Sequence, residues 1–536
     1  MKHPPGLAAL IVLTLASLSC AYPPGTASPP LQTVAPPTLS QAVPAAQTAA
    51  PTPEVGSVLG LLSGEDLALQ QAAMRSGFES DVAAHASALY QVSLTLTDDP
   101  IHISGTEQVR FRNDASTALD DMVFRLYPNA LTRQPILSIT STSVNSESVE
   151  ASVLVQGTAL RIPLAEPLPP GEAVEVALDF TLDLPPEEGI GWGRLGDING
   201  VVVLSSFIPL LSVYEAGGWW LDWPDETGDP VYSAVALWDV TLTAPASLKV
   251  ASTGTVVDTT PSSDAATATY RIVTGPVRDF SLALSADFEL LSEVRDGVMI
   301  HVWSAPGDQE VDRAALQVAG EALGTFDRQF GLYPFNELDM VQAPILAAGI
   351  EAPGLIYIGN GVWDSQGNPF FEWVISHEVA HQWWYGVVGN NQVDAPWLDE
   401  GLAEYSVELY FAATDGLGGA DIVRAYYENQ LEAYVGREGV REPVGRPAAS
   451  YDAEQYRVFV YSAGALFYNH LADVYGSEAV AAFLRAYYQR FRYDLVYNAD
   501  LQQLVETTFG QGAGEFFADW VYVGGLSSLP ATPITP

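Results

Sequence analysis

The stretch Trp373-Val-Ile-Ser-His-Glu-Val-Ala-His-Gln-Trp-Trp-Tyr385 contains neither glycine nor proline, and it is predicted to form a helix. Within it, His377 and His381 are four residues apart, so both imidazoles project from one face and can share a metal ion. Glu378 lies between them, where it can act as the general base on a metal-bound water. The chain has only seven histidines. This spacing around a glutamate therefore favours a metal site over an amphipathic helix with two surface histidines.

A second helix, predicted to start in the segment Trp397-Leu-Asp-Glu-Gly-Leu-Ala-Glu-Tyr405, supplies the third ligand. A catalytic zinc ion needs three protein ligands and one open position, and Glu400 follows His381 after eighteen intervening residues. Glu404 lies one turn further on and is predicted to hydrogen-bond the outer nitrogen of a ligand histidine. The alternative for Glu404 is an ordinary exposed carboxylate. The pattern thus predicts one Zn²⁺ per chain, held by His377, His381 and Glu400.

Outside these two segments, the spacing of apolar residues divides the chain into two halves. From Tyr90 to Leu291, short runs of alternating apolar and polar residues are separated by Gly, Pro, Asn and Asp clusters, which predicts an antiparallel all-β domain. After Pro306 the apolar period lengthens, with a helix predicted over 311–330 and a strand over 339–343. The second half is therefore predicted to be an α+β, mostly helical, catalytic domain.

Changes in composition give the predicted segments of the chain. Residues 21–55 are rich in Pro, Ala and Thr and cannot bury a core, and Ser63 is a predicted helix N-cap beyond them. The segments are a signal peptide (1–20), a disordered linker (21–55), a short helical lead-in (56–87), the N-terminal β domain (88–295), the zinc catalytic domain (296–528) and a tail (529–536).

The N-terminus has the pattern of an export signal. Lys2 precedes an apolar run over 7–16 that is too short for a comfortable membrane span, and small residues follow it. Cys20, the sole cysteine of the chain, comes directly after them. Its position resembles a bacterial lipoprotein cleavage site, although Ser17 stands where leucine is usual. Lipidation of Cys20 would tether the chain to a membrane; the alternative is an ordinary signal peptide with an incidental cysteine.

The charge balance excludes one class of partner. The formal net charge of −43 arises from a shortage of Lys and Arg, and no long acidic block is present. A surface of this kind repels nucleic acid and favours solubility. We therefore expect no nucleic-acid partner, and nothing in the sequence indicates a second cofactor.

The motifs HEVAHQWW and WLDEGLAEY resemble those of the gluzincin zinc aminopeptidases, the family of aminopeptidase N and leukotriene hydrolase. The segment from Ala348 to Ile356 resembles that family's GxMEN motif, with Gly349 at its glycine and Glu351 at its glutamate. The resemblance implies that Glu351 binds the free amino group of a peptide substrate. It covers residues 88–528 and implies a saddle-shaped N-terminal β domain followed by a thermolysin-like catalytic domain.

Tyr461 lies in a segment, Tyr461-Ser-Ala-Gly-Ala465, that is similar to the family's YxKGA motif. The resemblance implies that its hydroxyl contacts the oxyanion formed during peptide hydrolysis. Tyr456 and Tyr468 are nearby competitors for this role, and the Gly464-Ala465 pair favours Tyr461. The alternative is a core tyrosine on an amphipathic helix.

The sequence departs from the family pattern in several places. Ile350 replaces the usual Met of GxMEN, which we expect to alter the wall of the pocket for the leading side chain, and Ala352 replaces the usual Asn. Ala463 stands where Lys is usual in YxKGA. The β half has no obvious match to the family's second amine-binding Gln or Glu, and we expect no counterpart of the helical C-terminal domain that encloses the site in large family members. A more open cleft is expected.

The resulting functional hypothesis is an exported zinc-dependent aminopeptidase that removes N-terminal residues from peptides. Two alternatives stay open at this point. One is a zinc endopeptidase or oligopeptidase, which the altered GxMEN segment favours. The other is a catalytically silent surface binding protein of the same fold, against which the retained Glu378 and Tyr461 argue.

Overall fold

The computed structural model describes residues 62–524, apart from residues 86, 98–100, 133–134, 186–188, 224–226 and 308. The predicted signal peptide, Cys20, the linker, the first part of the lead-in and the tail lie outside the described residues. Within the described part, no helix is both long enough and apolar enough to cross a membrane.

A short lead-in contacts both halves of the molecule. Ser63 caps the helix Gly64–Gln71 as predicted, because its side chain accepts a hydrogen bond from the backbone of Asp66. The short helix Asp81–Ala84 follows. Gln70 donates to the carbonyl of Trp238 in the β half, and Arg75 forms an ion pair with Asp327 of the helical half.

The N-terminal half is built from strands, as predicted from its alternating sequence. Its largest sheet has eight strands, in the order Thr255–Pro261, Thr267–Val273, Leu237–Pro245, Ala88–Thr97, His102–Arg112, Ala173–Asp183, Leu137–Val144 and Glu147–Ser148. The pairing is antiparallel except between Ala88–Thr97 and Leu237–Pro245, which run parallel. Strand burial alternates along Ala173–Asp183, which places one face of this sheet on the core.

Two smaller sheets and a hairpin complete the β half. The five-stranded sheet has the order Lys249–Ser252, Leu282–Ser285, Val201–Leu204, Leu195–Ile198 and Gly189–Ile190. The four-stranded sheet has the order Leu210–Leu211, Leu119–Arg125, Ala159–Leu168 and Ser152–Leu154, and Tyr214–Glu215 pairs with Gly218–Trp219. Short helices in this half are Tyr127–Ala130 and the 3₁₀ turns Val155–Gly157 and Gly191–Gly193.

The second half begins with its own five-stranded sheet, in the order Glu289–Arg295, Val298–Ser304, Glu337–Ala343, Leu355–Gly359 and Gly349–Ala352. The last two strands form an antiparallel hairpin at the sheet edge, here called the edge hairpin. Glu289–Arg295 already belongs to this sheet although it precedes residue 296. The domain boundary therefore stays a prediction.

Helices make up the rest of the second half, which confirms the predicted fold class. The α-helices are Gln309–Gln329, Asn360–Trp363, Pro369–Ala380, Trp397–Thr414, Leu417–Glu438, Ala453–Gln455, Gly464–Tyr475, Ser477–Phe491, Asn498–Phe509 and Gln511–Ala518. Tyr456–Ala463 and Asp519–Val523 are π-helical, Ala448–Ser450 is a 3₁₀ turn, and Gly389–Asn390 pairs with Leu495–Val496.

A buried arginine joins the two halves. Arg278, in the β half, donates hydrogen bonds to the carbonyl of Ser233 in its own half and to the carbonyls of Tyr385, Val387 and Asp494 in the helical half, at 2.6–3.2 Å. Buried carbonyl groups need donors, and one guanidinium here supplies several at once. The loop that follows the predicted metal-binding helix is thereby attached to the β half.

Replacing Arg278 with methionine should destabilise the whole protein, because the substitution keeps the volume but removes the donor from four carbonyl groups. We expect the free energy of unfolding to fall by about 3–5 kcal/mol, measured by urea denaturation followed by circular dichroism. Arg271→Met is the matched control, since the Arg271–Asp239 pair is partly exposed and should contribute about 1 kcal/mol or less. Equal losses in the two variants would contradict the role assigned to Arg278.

Candidate metal centre and peptide cleft

The helix Pro369–Ala380, here called the HExxH helix, starts and ends at well-defined positions. Asn368 caps it by accepting a hydrogen bond from the backbone of Phe370, and Pro369 occupies the first turn, where its missing N–H costs nothing. His381 is the C-cap residue. Both histidines therefore project from the last turn of one buried helix, as the sequence predicted.

The three predicted ligands converge on one point. Nε2 of His377 lies 3.0 Å from Nε2 of His381 and 3.1 Å from Oε2 of Glu400, and the His381–Glu400 distance is 3.4 Å. Ligand atoms held tetrahedrally at about 2.0–2.1 Å from a zinc ion lie about 3.3 Å from one another. All three side chains are buried. The residues present therefore fit a zinc ion.

Partners behind the two imidazoles fix their orientation. Nδ1 of His381 donates to the backbone carbonyl of Trp384 at 3.0 Å, which leaves Nε2 with its lone pair directed at the ligand set. Oε1 of Glu404 lies 3.5 Å from Nδ1 of His377, on its outer side but beyond ordinary hydrogen-bond distance. Glu404 is buried rather than exposed, and it accepts hydrogen bonds from Trp373 and Tyr427.

Glu378 is buried beside the ligand set, and the space for its carboxylate depends on a glycine of the edge hairpin. A Cβ atom at Gly349, on the edge hairpin, would lie 2.1 Å from Oε1 of Glu378. Only glycine lets the hairpin approach this closely. Oε2 of Glu378 is buried and has no hydrogen-bond partner among the described residues. The carboxylate therefore retains an unused acceptor next to the three ligands.

Glu351 lies on the same edge hairpin and is only 8% exposed. Its Oε1 accepts a hydrogen bond from Nε2 of Gln392 at 2.8 Å, and the same nitrogen donates to Asp399 at 2.8 Å. Glu351 is therefore not a solvated carboxylate at a strand end. Its distance to the ligand set is short, because Glu351, His381 and Asp399 offer atoms within 4.8 Å of one another.

Ile350 corrects an expectation from the sequence. It is fully buried in a core cluster under the sheet with Ile345 and Tyr357, and it does not line the cleft. Successive residues of a strand point to opposite faces, so Gly349 and Glu351 face the cleft while Ile350 faces away. Its replacement of methionine therefore does not change the pocket wall directly.

Tyr461 lies in the π-helix Tyr456–Ala463, and its hydroxyl donates to Oε1 of Glu400 at 2.8 Å. Two glycines permit this approach, because a Cβ at Gly401 or Gly464 would lie 2.8–2.9 Å from the backbone of the other. Tyr468, the distant competitor, packs in the core against Trp397 instead. Tyr456 also lines the cleft.

Burial and hydrogen bonding together give three neighbouring carboxyl groups different pKa values. Burial raises the pKa of Glu378 to about 8, against the opposing charges of His377 and His381. It also raises the pKa of Asp399 to about 7, with the charge of Glu400 adding to the effect. Burial acts on Glu400 in the same direction, but its hydrogen bonds to the two imidazoles outweigh it and lower the pKa. Glu400 therefore loses its proton more readily than Glu378.

The centre opens into a cavity of about 1160 Å³ between the two halves. Its wall includes Trp192 and Asp229 from the β half, and Phe370, Trp373 and Tyr426 from the helical half. A volume of this size is at the upper end of typical ligand pockets. It is large enough for a peptide to lie beside the ligand set.

Three residues of this centre escaped the sequence analysis. Gln392 donates to Glu351 and is itself positioned by Asp399, which accepts from the same nitrogen. Gln382 connects the edge hairpin to the HExxH helix by accepting from the backbone of Gly354 and donating to the carbonyl of Ala352. Gln382 directly follows the second histidine, so its place in the motif was the available signal. Nothing in the sequence around Gln392 indicated its role.

Two imidazoles and a carboxylate that converge from two adjacent helices are the arrangement of the gluzincin metallopeptidases, and comparison with known proteins agrees with it. Residues 314–520 match the Peptidase family M1 domain. The chain thus carries a peptidase family M1 domain, which confirms the resemblance drawn from its motifs.

Curated relatives of the chain are aminopeptidases. Puromycin-sensitive aminopeptidase of Caenorhabditis elegans is 23% identical over 434 residues, which cover 76% of this chain and 44% of the worm protein. Endoplasmic reticulum aminopeptidase 2 of Homo sapiens is 28% identical over 229 residues, covering 40% of this chain and 24% of the human protein. The chain thus spans less than half the length of these relatives.

Solved structures share the fold over most of the chain. A mutant M1 zinc metallopeptidase from Deinococcus radiodurans superposes with a TM-score of 0.61 at 21% identity, covering 83% of this chain and 96% of that one. The same mutant bound to a Tyr-Ser-Ala substrate gives a TM-score of 0.60 at 22% identity, covering 84% and 96%. The two-domain architecture, a β-rich domain followed by a helical catalytic domain, is confirmed.

Replacing Glu400 with glutamine should weaken zinc binding, because the site loses its only anionic ligand. We expect a loss of more than about 100-fold in affinity, since changes to the partners of ligands alone cost about 10- to 100-fold. Competition with a chelator, followed by metal analysis, measures it. Glu408→Gln is the matched control: Glu408 lies on the same helix but accepts from Asn469, so its zinc content should stay unchanged. Full zinc affinity in Glu400→Gln would refute this ligand assignment.

Proposed function

We propose that this protein is a zinc-dependent aminopeptidase that removes residues from the free N-terminus of peptides. One observation carries the proposal: the buried Glu351 carboxylate, fixed by Gln392, lies within a few ångströms of His381. A fixed negative charge at this place can bind a substrate ammonium group and so set which peptide bond reaches the ligand set. The peptide-bound Deinococcus radiodurans structure, a tripeptide complex of the same fold, supports peptides as the substrate class.

The side chains around the centre have distinct tasks in such a reaction. A zinc ion on His377, His381 and Glu400 would polarise the scissile carbonyl and lower the pKa of a bound water to about 7. Glu378, with its unused Oε2, takes the proton of the attacking water and delivers it to the leaving amine. The Tyr461 hydroxyl donates to the oxygen that gains negative charge, a contact typically worth about 2.7–4 kcal/mol.

Substrates with free and blocked amino groups separate this proposal from its alternatives. We expect hydrolysis of leucyl-aminocoumarin but not of its N-acetylated form, and Glu351→Ala should lower kcat/KM for the free amine about 10- to 100-fold, because a buried charged hydrogen bond is lost. Glu378→Gln is the control, which should abolish hydrolysis while zinc stays bound.

The alternatives give different results in the same assay. Equal hydrolysis of free and blocked peptides, with no effect of Glu351→Ala, would point to an endopeptidase. A zinc-loaded protein that binds peptides but hydrolyses none would be a silent binding protein.

We further propose that the protein is exported and tethered to a membrane through a lipid on Cys20. The supporting features are the apolar N-terminal run, the place of the sole cysteine and the linker composition over 21–55. Mass spectrometry of the membrane fraction should find a lipid-modified Cys20 at the mature N-terminus. Cys20→Ala should release the protein from that fraction, and an unmodified Cys20 in a soluble exported protein would refute the tether.

A further inference from the structure

Arg457 is a cation in the cleft wall that neither the ligand set nor Glu351 uses. It lies one helical turn before Tyr461, is half-buried, and lines the cavity. Its Nε is buried without a hydrogen-bond partner, and the described residues provide no ion pair for its guanidinium. The other cavity arginine, Arg194, is paired with Asp229. Arg457 is thus a positive charge in the cleft wall, and its buried Nε–H has no acceptor among the described residues.

The chain has 22 Lys and Arg residues against 65 Asp and Glu residues, yet no carboxylate of the described residues pairs with Arg457. The two acidic side chains closest in sequence are engaged elsewhere, since Asp452 caps the helix Ala453–Gln455 and Glu454 pairs with Arg437. Arginine stays protonated at all ordinary pH values, and a buried N–H without an acceptor costs free energy. An anionic ligand would supply the acceptor.

The positions of Glu351 and Arg457 beside the metal ligands indicate which end of a bound peptide each would contact. Glu351 lies beside His381, because Glu351, His381 and Asp399 have atoms within 4.8 Å of one another. Glu404 lies behind His377 and accepts from Trp373, whose ring packs against Tyr426 with centroids 5.4 Å apart.

Arg457 belongs to this second side. The π-helix Tyr456–Ala463, which carries Arg457, packs against the helix Leu417–Glu438, which carries Tyr426. Tyr461, one turn after Arg457, has its ring centroid 6.0 Å from that of His377. Glu351, beside His381, and Arg457, on the helix whose Tyr461 lies beside His377, therefore carry opposite charges in the wall of one cavity.

We propose that Arg457 binds the C-terminal carboxylate of a short peptide whose N-terminal amine is held by Glu351. The inference rests on the proposed aminopeptidase function and adds a preference for peptide length. A guanidinium presents a planar pair of N–H donors that matches a carboxylate. A peptide held at both charged ends is positioned with its first bond at the ligand set, whereas a longer or amidated peptide loses the second anchor.

The test compares Leu-Gly-Gly with its C-terminal amide. Binding is measured by calorimetry on zinc-loaded Glu378→Gln protein, so that it does not depend on turnover. We expect the free acid to bind about 10- to 100-fold more tightly than the amide. Adding Arg457→Gln should remove that difference, and Arg457→Lys should retain part of it.

Arg490→Gln is the matched control, because it removes one positive charge at an exposed position on the helix Ser477–Phe491, outside the cleft. It should leave the acid-to-amide ratio unchanged. Zinc content and melting temperature verify that each variant is folded, and Arg457→Lys keeps the proposal testable if the glutamine variant unfolds. An equal affinity for acid and amide in the parent, or an unchanged ratio in Arg457→Gln, would overturn the proposal.

A separate measurement keeps the two proposals distinguishable. Failure of the wild-type enzyme to hydrolyse leucyl-aminocoumarin would refute the aminopeptidase function, while the calorimetric ratios would still decide the role of Arg457. Conversely, an active aminopeptidase with no acid-to-amide preference would refute the carboxylate anchor alone.

Discussion

The approach of the Glu400 carboxylate to two imidazole nitrogens, at 3.1 and 3.4 Å in a buried site, is the contact around which the helical half is arranged. Three acceptor atoms this close repel one another unless a cation or protons lie between them. The surrounding structure holds them in place. Gly401 and Gly464 let two helices meet at backbone distance. Trp384 donates to Ser406, which fixes the end of the HExxH helix against the Glu400 helix.

The placement of His377 and His381 on one face could be predicted from the sequence because helix geometry determines it, whereas Glu400 lies on a second helix. Two histidines four residues apart share a face whatever the rest of the fold does. The role of Tyr461 was less certain, since three tyrosines lay close together in the chain. The contact between Gly401 and Gly464 supplies the physical reason why a glycine follows Tyr461 at this distance.

Contacts between residues that are distant in sequence could not be predicted from local patterns. Gln392 and Glu351 are 41 residues apart in sequence, and Arg278 and Val387 are 109 residues apart. No local sequence pattern indicates either hydrogen bond. Ile350 shows the opposite problem, because its motif position was clear but the direction of its side chain was not. The alternation of apolar and polar residues correctly predicted that the N-terminal half is built from strands. The parallel pairing of Ala88–Thr97 with Leu237–Pro245 depends on chain topology, which alternation does not encode.

The cleft has walls from both halves, while its metal ligands come from the helical half alone. The β half therefore contributes to the cleft wall but not to the ligand set. Residues such as Trp192 and Asp229 lie in the β half, so variation there can alter the cleft wall while the three candidate metal ligands stay unchanged. The buried guanidinium of Arg278 bonds the two halves to each other, so the width of the cleft between them depends on a contact made away from the ligand set.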